Sequence, residues 1–152
     1  VFYMPSESPE GTLSFYGLYN EPQQTGFSSY DLAESLEDSL SYAEEQAAAL
    51  NDSLEQETLT QDEYNETSQE LYDLWDSLLN RIWSALQNTL DEESMAALTE
   101  EERQWISEKE AAVSEAGAPY EGGPLQPMME NLAAAQMTRD RVYVLMERLA
   151  EQ

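Results

Sequence analysis

The chain has 152 residues, with 32 acidic and 6 basic side chains, no histidine and no cysteine, which gives a formal net charge of −26. Without Cys and His it has no thiolate nucleophile, no Ser-His-Asp triad, no disulfide framework and no zinc finger. Nucleic acid is an unfavourable partner, because both molecules would be polyanions. The length suits one domain with a modest core.

Residues 1–28 differ from the rest of the chain because turn formers and aromatic side chains alternate in them. The turn formers are Pro5, Pro9, Gly11, Gly17, Pro22 and Gly26. The aromatic side chains are Phe2, Tyr3, Phe15, Tyr16, Tyr19 and Phe27. Turn formers at this frequency exclude a long helix, whereas this many aromatics are unusual for a plain linker. We expect an irregular N-terminal arm over residues 1–28 whose aromatics pack on a helical domain of residues 29–152.

Apolar residues recur at helical spacing from Asp31 onward. The first such seam consists of Leu32, Leu36, Leu40, Ala43, Ala47, Leu50 and Leu54. A second helix is predicted after Thr60, because Glu63 three residues later completes a capping-box pattern. Its apolar positions cover about half of the helix circumference, and they are Leu71, Leu74, Trp75, Leu78, Leu79, Ile82, Trp83, Leu86 and Leu90. We therefore expect this second helix to form the centre of the core.

A third helical segment is predicted from about Asp91. Thr99 and Glu102 repeat the capping-box pattern, which predicts a short helical turn that breaks and restarts there. Gly117 is expected to end the segment, and residues 117–124 (GAPYEGGP) have the composition of a loop.

The last helix is predicted from Pro124 or Pro127 to Ala150, with an apolar face of Met and aliphatic side chains. Long helices joined by short connections are typical of antiparallel bundles. The sequence therefore predicts an all-α fold, an antiparallel bundle of three to four helices carrying the irregular aromatic-rich arm.

The residue pattern gives no support to catalysis or to cofactor binding. Carboxylate pairs can hydrolyse glycosides, but among 32 acidic residues such a pair carries no information. Residues 91–102 are rich in acidic side chains, yet an Ala stands where a calcium loop of the EF-hand type needs Gly. Trp75, Trp83 and Trp105 could line a ligand box, although aromatics at helical spacing more often belong to a core. We predict a non-enzyme without metal or cofactor.

The charge is distributed unevenly along the sequence. The first 80 residues contain 18 acidic side chains and no basic one. The basic residues are Arg81, Arg103, Lys109, Arg139, Arg141 and Arg148. Two interpretations remain open at this point: a solvated helical surface, or an electrostatic footprint for a basic protein partner.

Three motifs between residues 71 and 145 resemble those of the LprI-type lysozyme inhibitor family. An Asp-x-x-Leu-Asn-x-x-aromatic signature is matched by Asp76, Leu79, Asn80 and Trp83. A Leu-x-x-x-Gln-x-x-Trp-hydrophobic-x-x-Arg segment is matched, with Glu for Gln and Lys for Arg, by Leu98, Glu102, Trp105, Ile106 and Lys109. A Gly-Gly turn, a Met-containing helix and a Thr-Arg-x-Arg stretch are matched by Gly122, Gly123, Met128, Thr138, Arg139 and Arg141.

The resemblance implies a secreted or lipid-anchored protein of the bacterial envelope. Family members commonly carry Cys where this chain has Val113 and Ala133, so apolar packing replaces that crosslink here. No run of about 18 apolar residues occurs, so no transmembrane segment is predicted. The chain begins at Val1 without a Met or an apolar leader. Two explanations stay open: a targeting segment, with or without a lipid anchor before Val1, was removed, or the start was trimmed.

The resemblance and the charge both point to a basic protein partner, with lysozyme as the specific hypothesis. Many lysozymes are strongly basic, so an acidic bundle would be steered toward them. The candidate contact residues are Glu115, Tyr120 and Glu121, in and beside the loop before the last helix. The alternative function is a structural or adaptor module whose helical face docks on another envelope protein, and for the loop itself the alternative is a plain connection.

Overall fold

The computed structural model describes residues 29–56 and 58–151, which fold into four α-helices. These are α1 (Ser29–Gln56), α2 (Gln61–Thr89), α3 (Glu92–Gly117) and α4 (Gln126–Ala150), with a short 3-10 helix, Ala118–Tyr120, after α3. The described residues contain no strand, which confirms the all-α prediction and fixes the number of helices at four. The aromatic-rich arm predicted for residues 1–28 lies outside the described residues, so that boundary stays a prediction.

Helices α2 and α4 form the central pair of the bundle, α1 packs on α2, and α3 packs on α4. The central pair runs parallel. Ser68 lies opposite Asn131 near the beginning of both helices, and about two turns later Trp75 lies beneath the guanidinium of Arg139. Helices that follow each other in the chain run in opposite directions, because short connections reverse them.

The hydrophobic core is centred on α2, as the apolar pattern predicts. The side chains of Leu79, Ile82, Trp83 and Leu86 are fully buried. The other two tryptophans are also core residues, since Trp75 is 1% and Trp105 is 7% exposed. The core interpretation of the three tryptophans is therefore confirmed.

The apolar seam of α1 faces this core. Among the side chains described there, the buried members are Leu36, Ala43 and Ala47, and the partly buried ones are Leu40, Leu50 and Leu54.

The predicted capping box at the start of α2 is present. The Thr60 hydroxyl accepts a hydrogen bond from the backbone N–H of Glu63 at 3.1 Å, and the Glu63 carboxylate accepts one from the Thr60 N–H at 2.9 Å. These two bonds satisfy two of the backbone donors that a helix N-terminus leaves unpaired.

Replacing Thr60 by alanine is expected to lower the free energy of unfolding by about 1 kcal/mol, because one of these bonds is lost. Urea unfolding followed by circular dichroism measures this effect. Thr60→Ser keeps the hydroxyl and is expected to stay close to the original stability. An equal loss in both variants would show that the hydroxyl contributes nothing.

The predicted break at Thr99 is wrong, because α3 continues without interruption from Glu92 to Gly117. Its N-cap is Asp91, whose carboxylate accepts a hydrogen bond from the Ser94 N–H at 2.7 Å. The Thr99 hydroxyl donates to the Met95 carbonyl one turn earlier, as it does in a helix interior. Glu102 is 0% exposed and points into the core rather than toward a helix start.

Helix α3 ends at Gly117, as predicted, and α4 begins at Gln126, between the two starting points considered. Pro127 occupies the first turn of α4, where the missing N–H costs nothing. None of the described helices is both long enough and apolar enough to cross a membrane.

Candidate functional site

Seven polar or charged side chains on α2, α3 and α4 are buried in the bundle. Each of them is at most 8% exposed, and they are Ser68, Asp76, Asn80, Glu102, Lys109, Thr138 and Arg141. Burying charge is costly unless it is paired and hydrogen-bonded. The pairing of this buried polar cluster therefore contributes, together with apolar packing, to holding α3 on the central helix pair.

Arg141 is the main link between α4 and α3. Its Nε donates to Glu102 Oε1 at 2.7 Å, and its Nη2 donates to Glu101 Oε2 at 2.9 Å. Arg148, about two turns further along α4, donates from Nη2 to the same Glu101 oxygen at 2.6 Å. The Arg141 guanidinium also lies 5.9 Å from the centre of the Trp105 ring. Two arginines and two glutamates thus join these helices, and only Glu102 is fully buried.

Lys109 makes the corresponding link between α3 and α2. Its Nζ donates to the Tyr72 hydroxyl at 2.9 Å and lies 5.3 Å from the Tyr72 ring centre and 5.5 Å from that of Trp105. Burial lowers the pKa of the ammonium, and the nearby Asp76 carboxylate partly offsets this effect. The aromatic faces and the carboxylate together supply the negative potential that a buried cation needs.

Two buried carboxyl groups have raised pKa values. Burial raises the pKa of Asp76 to about 6, although the charge of Lys109 acts in the opposite direction. Burial raises the pKa of Glu102 to about 7, although Arg141 lowers it by its charge and its hydrogen bond. Asp76 Oδ1 and Glu102 Oε2 accept no hydrogen bond from the described residues. Both groups therefore bind a proton more readily than ordinary carboxyls do.

Most of the family-motif residues lie in or beside this buried polar cluster. Those in the core are Asp76, Leu79, Asn80, Trp83, Trp105, Lys109, Thr138 and Arg141. Residues with exposures this low cannot be the surface that a partner touches. We infer that the motifs hold the three helices together, and that a binding surface must be sought elsewhere.

Glu102 and Ser68 belong to the buried polar cluster, and Tyr72 contacts it through Lys109, but the residue pattern does not predict these roles. The residue pattern instead predicts Glu102 as part of a capping box and matches it to a family motif. Its spacing contained a usable signal, because it falls four residues after Leu98 and three before Trp105, on the buried stripe of α3. A carboxylate on an apolar stripe indicates a buried partner of opposite charge.

The two motif glycines lie instead in the connection between α3 and α4. Gly122 has a φ of 78°, in the left-handed region that favours glycine. Its N–H donates to Gln126 Oε1 at 2.9 Å, and the Gly123 N–H donates to the Tyr120 carbonyl at 2.9 Å. The Asn65 side chain of α2 reaches the Pro124 carbonyl at 3.5 Å. The connection is thus tied to α2 and α4 by hydrogen bonds.

The predicted contact residues are brought together at this end of the bundle. Glu115 lies on the last turn of α3, Tyr120 ends the 3-10 helix, and Glu121 follows it. Both carboxylates are exposed, and Tyr120 is half-buried. Leu125, at 37% exposure, adds an apolar side chain to the same connection. Their role in binding is not tested by this geometry and stays a proposal.

The end of the bundle formed by residues 51–66 and 110–131 is here called the loop end. Neither range contains a lysine or an arginine. The acidic side chains described there are Asp52, Glu55, Asp62, Glu63, Glu66, Glu110, Glu115, Glu121 and Glu130. Arg139 is paired with Glu44 at 2.9 Å, and Arg103 with Glu100, outside these ranges. The loop end is therefore purely anionic in its side-chain charges.

The acidic side chains are not arranged as a metal site in the part of the chain that the structure describes. No group of three or more Asp or Glu residues there could hold a metal ion. The buried carboxylates face arginine and lysine, and the exposed ones are spread over helical surfaces. The absence of a cofactor and of catalysis stays a prediction from the sequence.

Comparison with protein families matches residues 51–145, which is more than half of the chain, to the family described as "Lysozyme inhibitor LprI". Comparison with curated proteins and with solved structures gives no match. The matched range runs from the end of α1 into α4 and includes the whole buried polar cluster. The chain therefore belongs to the LprI lysozyme inhibitor family.

Proposed function

We propose that this protein is a non-catalytic, secreted or cell-envelope protein that inhibits a basic lysozyme-type hydrolase through its loop end. Membership of the family supports an inhibitory role. The observation that supports this binding surface is the charge of the loop end. Its exposed carboxylates are not neutralised by any lysine or arginine within residues 51–66 and 110–131. Such a field attracts a cationic partner and orients it during approach.

Attraction alone does not inhibit an enzyme, because an inhibitor must also occupy the cleft where substrate binds. The connection between α3 and α4 is suited to this role. Gly122 allows its sharp turn, and the hydrogen bonds to Gln126 and Asn65 hold it in one shape before binding. A pre-ordered loop loses less conformational entropy on binding than a mobile one.

Tyr120 and Leu125 give the loop apolar contacts beside its carboxylates. Tyr120 is half-buried and Leu125 is 37% exposed, so each keeps surface available for a partner. Tyrosine is common among residues that dominate binding energy at protein interfaces. We propose that Glu115 and Glu121 meet cationic groups of the hydrolase and that Tyr120 packs at its cleft.

The triple variant Glu115→Gln, Tyr120→Ala and Glu121→Gln is expected to weaken inhibition of a basic lysozyme at least tenfold, since about 1.4 kcal/mol of binding energy is a factor of ten. Lysis of bacterial cell walls at low salt, measured against inhibitor concentration, gives the inhibition constants. Circular dichroism of the variant should match the original protein, because all three side chains lie outside the buried core.

A matched control removes two charges from the opposite end of the bundle. Glu92 and Glu93 are exposed in the first turn of α3. The variant Glu92→Gln, Glu93→Gln changes the net charge by the same amount and should keep its inhibition within about threefold, since only long-range attraction changes. Equal weakening in both variants would show that total charge, and not the loop end, determines inhibition.

The adaptor alternative predicts a contiguous exposed apolar patch of several hundred Å². The exposed large apolar side chains of the described residues are Tyr42, Leu125 and Tyr143, and they lie on α1, the connection and α4. The described part of the surface thus supports the adaptor function less well than the inhibitor function. Failure of the intact protein to inhibit any basic lysozyme would favour the adaptor function instead.

A further inference from the structure

A groove between the first half of α1 and the second half of α2 is unrelated to the loop end. It has a volume of about 400 Å³. Its floor contains Leu78, which is buried, and Leu74, which is partly buried. Tyr42 stands at its rim with 61% of its surface exposed, more than the other large apolar side chains in the described part of the chain. A groove with apolar floor and an exposed aromatic rim has the character of a docking site.

Arg81 lies in the same groove and is exposed. The other charged side chain that lines the groove is Asp38, and the remaining polar ones are serines. An occupant that suits this groove therefore combines aromatic or apolar side chains with a carboxylate that can reach Arg81.

Residues 1–28 of this chain have that composition. They contain six Phe and Tyr side chains, three glutamates (Glu7, Glu10 and Glu21), and no lysine or arginine. They are joined directly to α1, which forms one wall of the groove. We propose that the segment Phe15–Glu21 of this N-terminal arm docks in the groove between α1 and α2, with its aromatics on Leu74 and Tyr42 and with Glu21 beside Arg81.

The length of the arm allows this docking. Along α1, Tyr42 lies 13 residues beyond Ser29, which corresponds to roughly 20 Å at 1.5 Å per residue. Between Tyr19 and Ser29 the chain has 10 residues, which can span at most about 33 Å when extended. Pro22 and Gly26 lie in that stretch and favour the reversal of direction that a return along α1 needs. The same tether keeps the arm at a high effective concentration near the groove.

The chain contains no cysteine, so one introduced cysteine can carry a spin label at a unique position. In full-length Ser39→Cys, the label lies at the groove, and it should broaden the amide NMR signals of residues 15–21 strongly. In full-length Glu37→Cys, the label lies on the exposed side of α1 away from the groove, at a similar distance from the attachment of the arm, and should broaden these signals much less. Equal broadening from both labels, or no broadening from the groove label, would overturn the proposal.

Reversing the groove charge tests the contact with Glu21. Arg81→Glu in the Ser39→Cys background should reduce the broadening at residues 15–21 by at least half, because attraction becomes repulsion. Unchanged broadening would remove Arg81 from the docking contact and overturn the proposed pairing.

A mixed sample tests whether the occupant comes from a second molecule. Isotope-labelled protein without a spin label is mixed with spin-labelled protein without isotope. The proposal predicts no broadening of residues 15–21 in this mixture. Broadening there would show that the arm docks on another copy and would overturn docking within one chain. Because lysozyme takes no part in these measurements, their outcome is independent of the proposed inhibition.

Discussion

Replacing Arg141 with alanine is expected to lower the free energy of unfolding by about 3–5 kcal/mol near pH 8, because the buried Glu102 loses its cation and must either stay ionised without a partner or take up a proton. Glu102 is 0% exposed, and Arg141 is the residue that donates to its Oε1. The cost should shrink near pH 5, since Glu102, whose pKa is about 7, then carries a proton in both proteins. Urea unfolding followed by far-ultraviolet circular dichroism measures both values.

Arg148→Ala is the matched control, because Arg148 binds Glu101 on the same pair of helices but has a side chain that is 37% exposed. Exposed ion pairs contribute at most about 1 kcal/mol, so this variant should lose little stability. The double variant Glu102→Leu, Arg141→Met should recover most of the loss of Arg141→Ala, since neither charge is then buried alone. A loss in Arg141→Ala no larger than in Arg148→Ala would contradict the importance of the buried pair.

The folded protein is expected to become more stable as the pH falls from about 8 to 5, by roughly 3 kcal/mol in total. The pKa values of Asp76 and Glu102 in the folded protein are about 6 and 7, above their ordinary values of 3.8 and 4.5. The folded state therefore takes up protons at a higher pH than the unfolded chain, and each uptake favours folding. Partial neutralisation of the net charge of −26 acts in the same direction.

The sign of this pH effect is opposite to that of carboxyls whose pKa is lowered by folding. Glu101 is of that second kind, because its hydrogen bond from Arg148 lowers its pKa. Its contribution is present above its ordinary pKa and is lost only at more acidic pH, below the range considered. Unfolding in urea at several pH values is the measurement.

The variants Asp76→Asn and Glu102→Gln should flatten the stability profile, since neither replacement titrates in this range. Glu102→Gln should remove the change in the free energy of unfolding near neutral pH. Asp76→Asn should remove the change that occurs about one pH unit lower. Stability that stays constant or falls between pH 8 and 5 in the original protein would contradict the raised pKa values.

The sequence predicts the helical fold well where one physical pattern dominates. The broad apolar face of α2 places Leu79, Trp83 and Leu86 in the core without any knowledge of neighbouring helices. The capping box at Thr60 is confirmed because both of its hydrogen bonds are local. Thr60 and Glu63 are both exposed, so no contact with another helix competes with their hydrogen bonds.

The sequence does not reveal contacts between helices, and this is where the prediction fails. Thr99 and Glu102 have the spacing of a capping box, yet Glu102 accepts a hydrogen bond from Arg141, which lies 39 residues away in the sequence. A buried ion pair between helices overrides a weak local preference, because an unpaired buried charge costs several kcal/mol. The parallel pairing of α2 and α4 likewise depends on contacts that no local pattern encodes.

The candidate site divides into two parts with different physical roles. The motif residues that resemble the family lie mostly in the core, so their resemblance predicts the framework better than the contact surface. The predicted contact residues Glu115, Tyr120 and Glu121 lie close together because α3 ends and α4 begins there. Charge composition leaves a solvated surface and a footprint for a basic partner as two interpretations, and the position of the anionic loop end follows only from the arrangement of all four helices.

We propose that the anionic loop end binds and blocks a basic lysozyme. The most direct test titrates the intact protein against such an enzyme while its turnover of cell-wall substrate is followed, at low salt and at high salt. We predict saturable inhibition with one-to-one stoichiometry, weakened by salt and not reproduced by an unrelated protein of equal negative charge. Full enzyme activity at a large molar excess of this protein at low salt would contradict the claim.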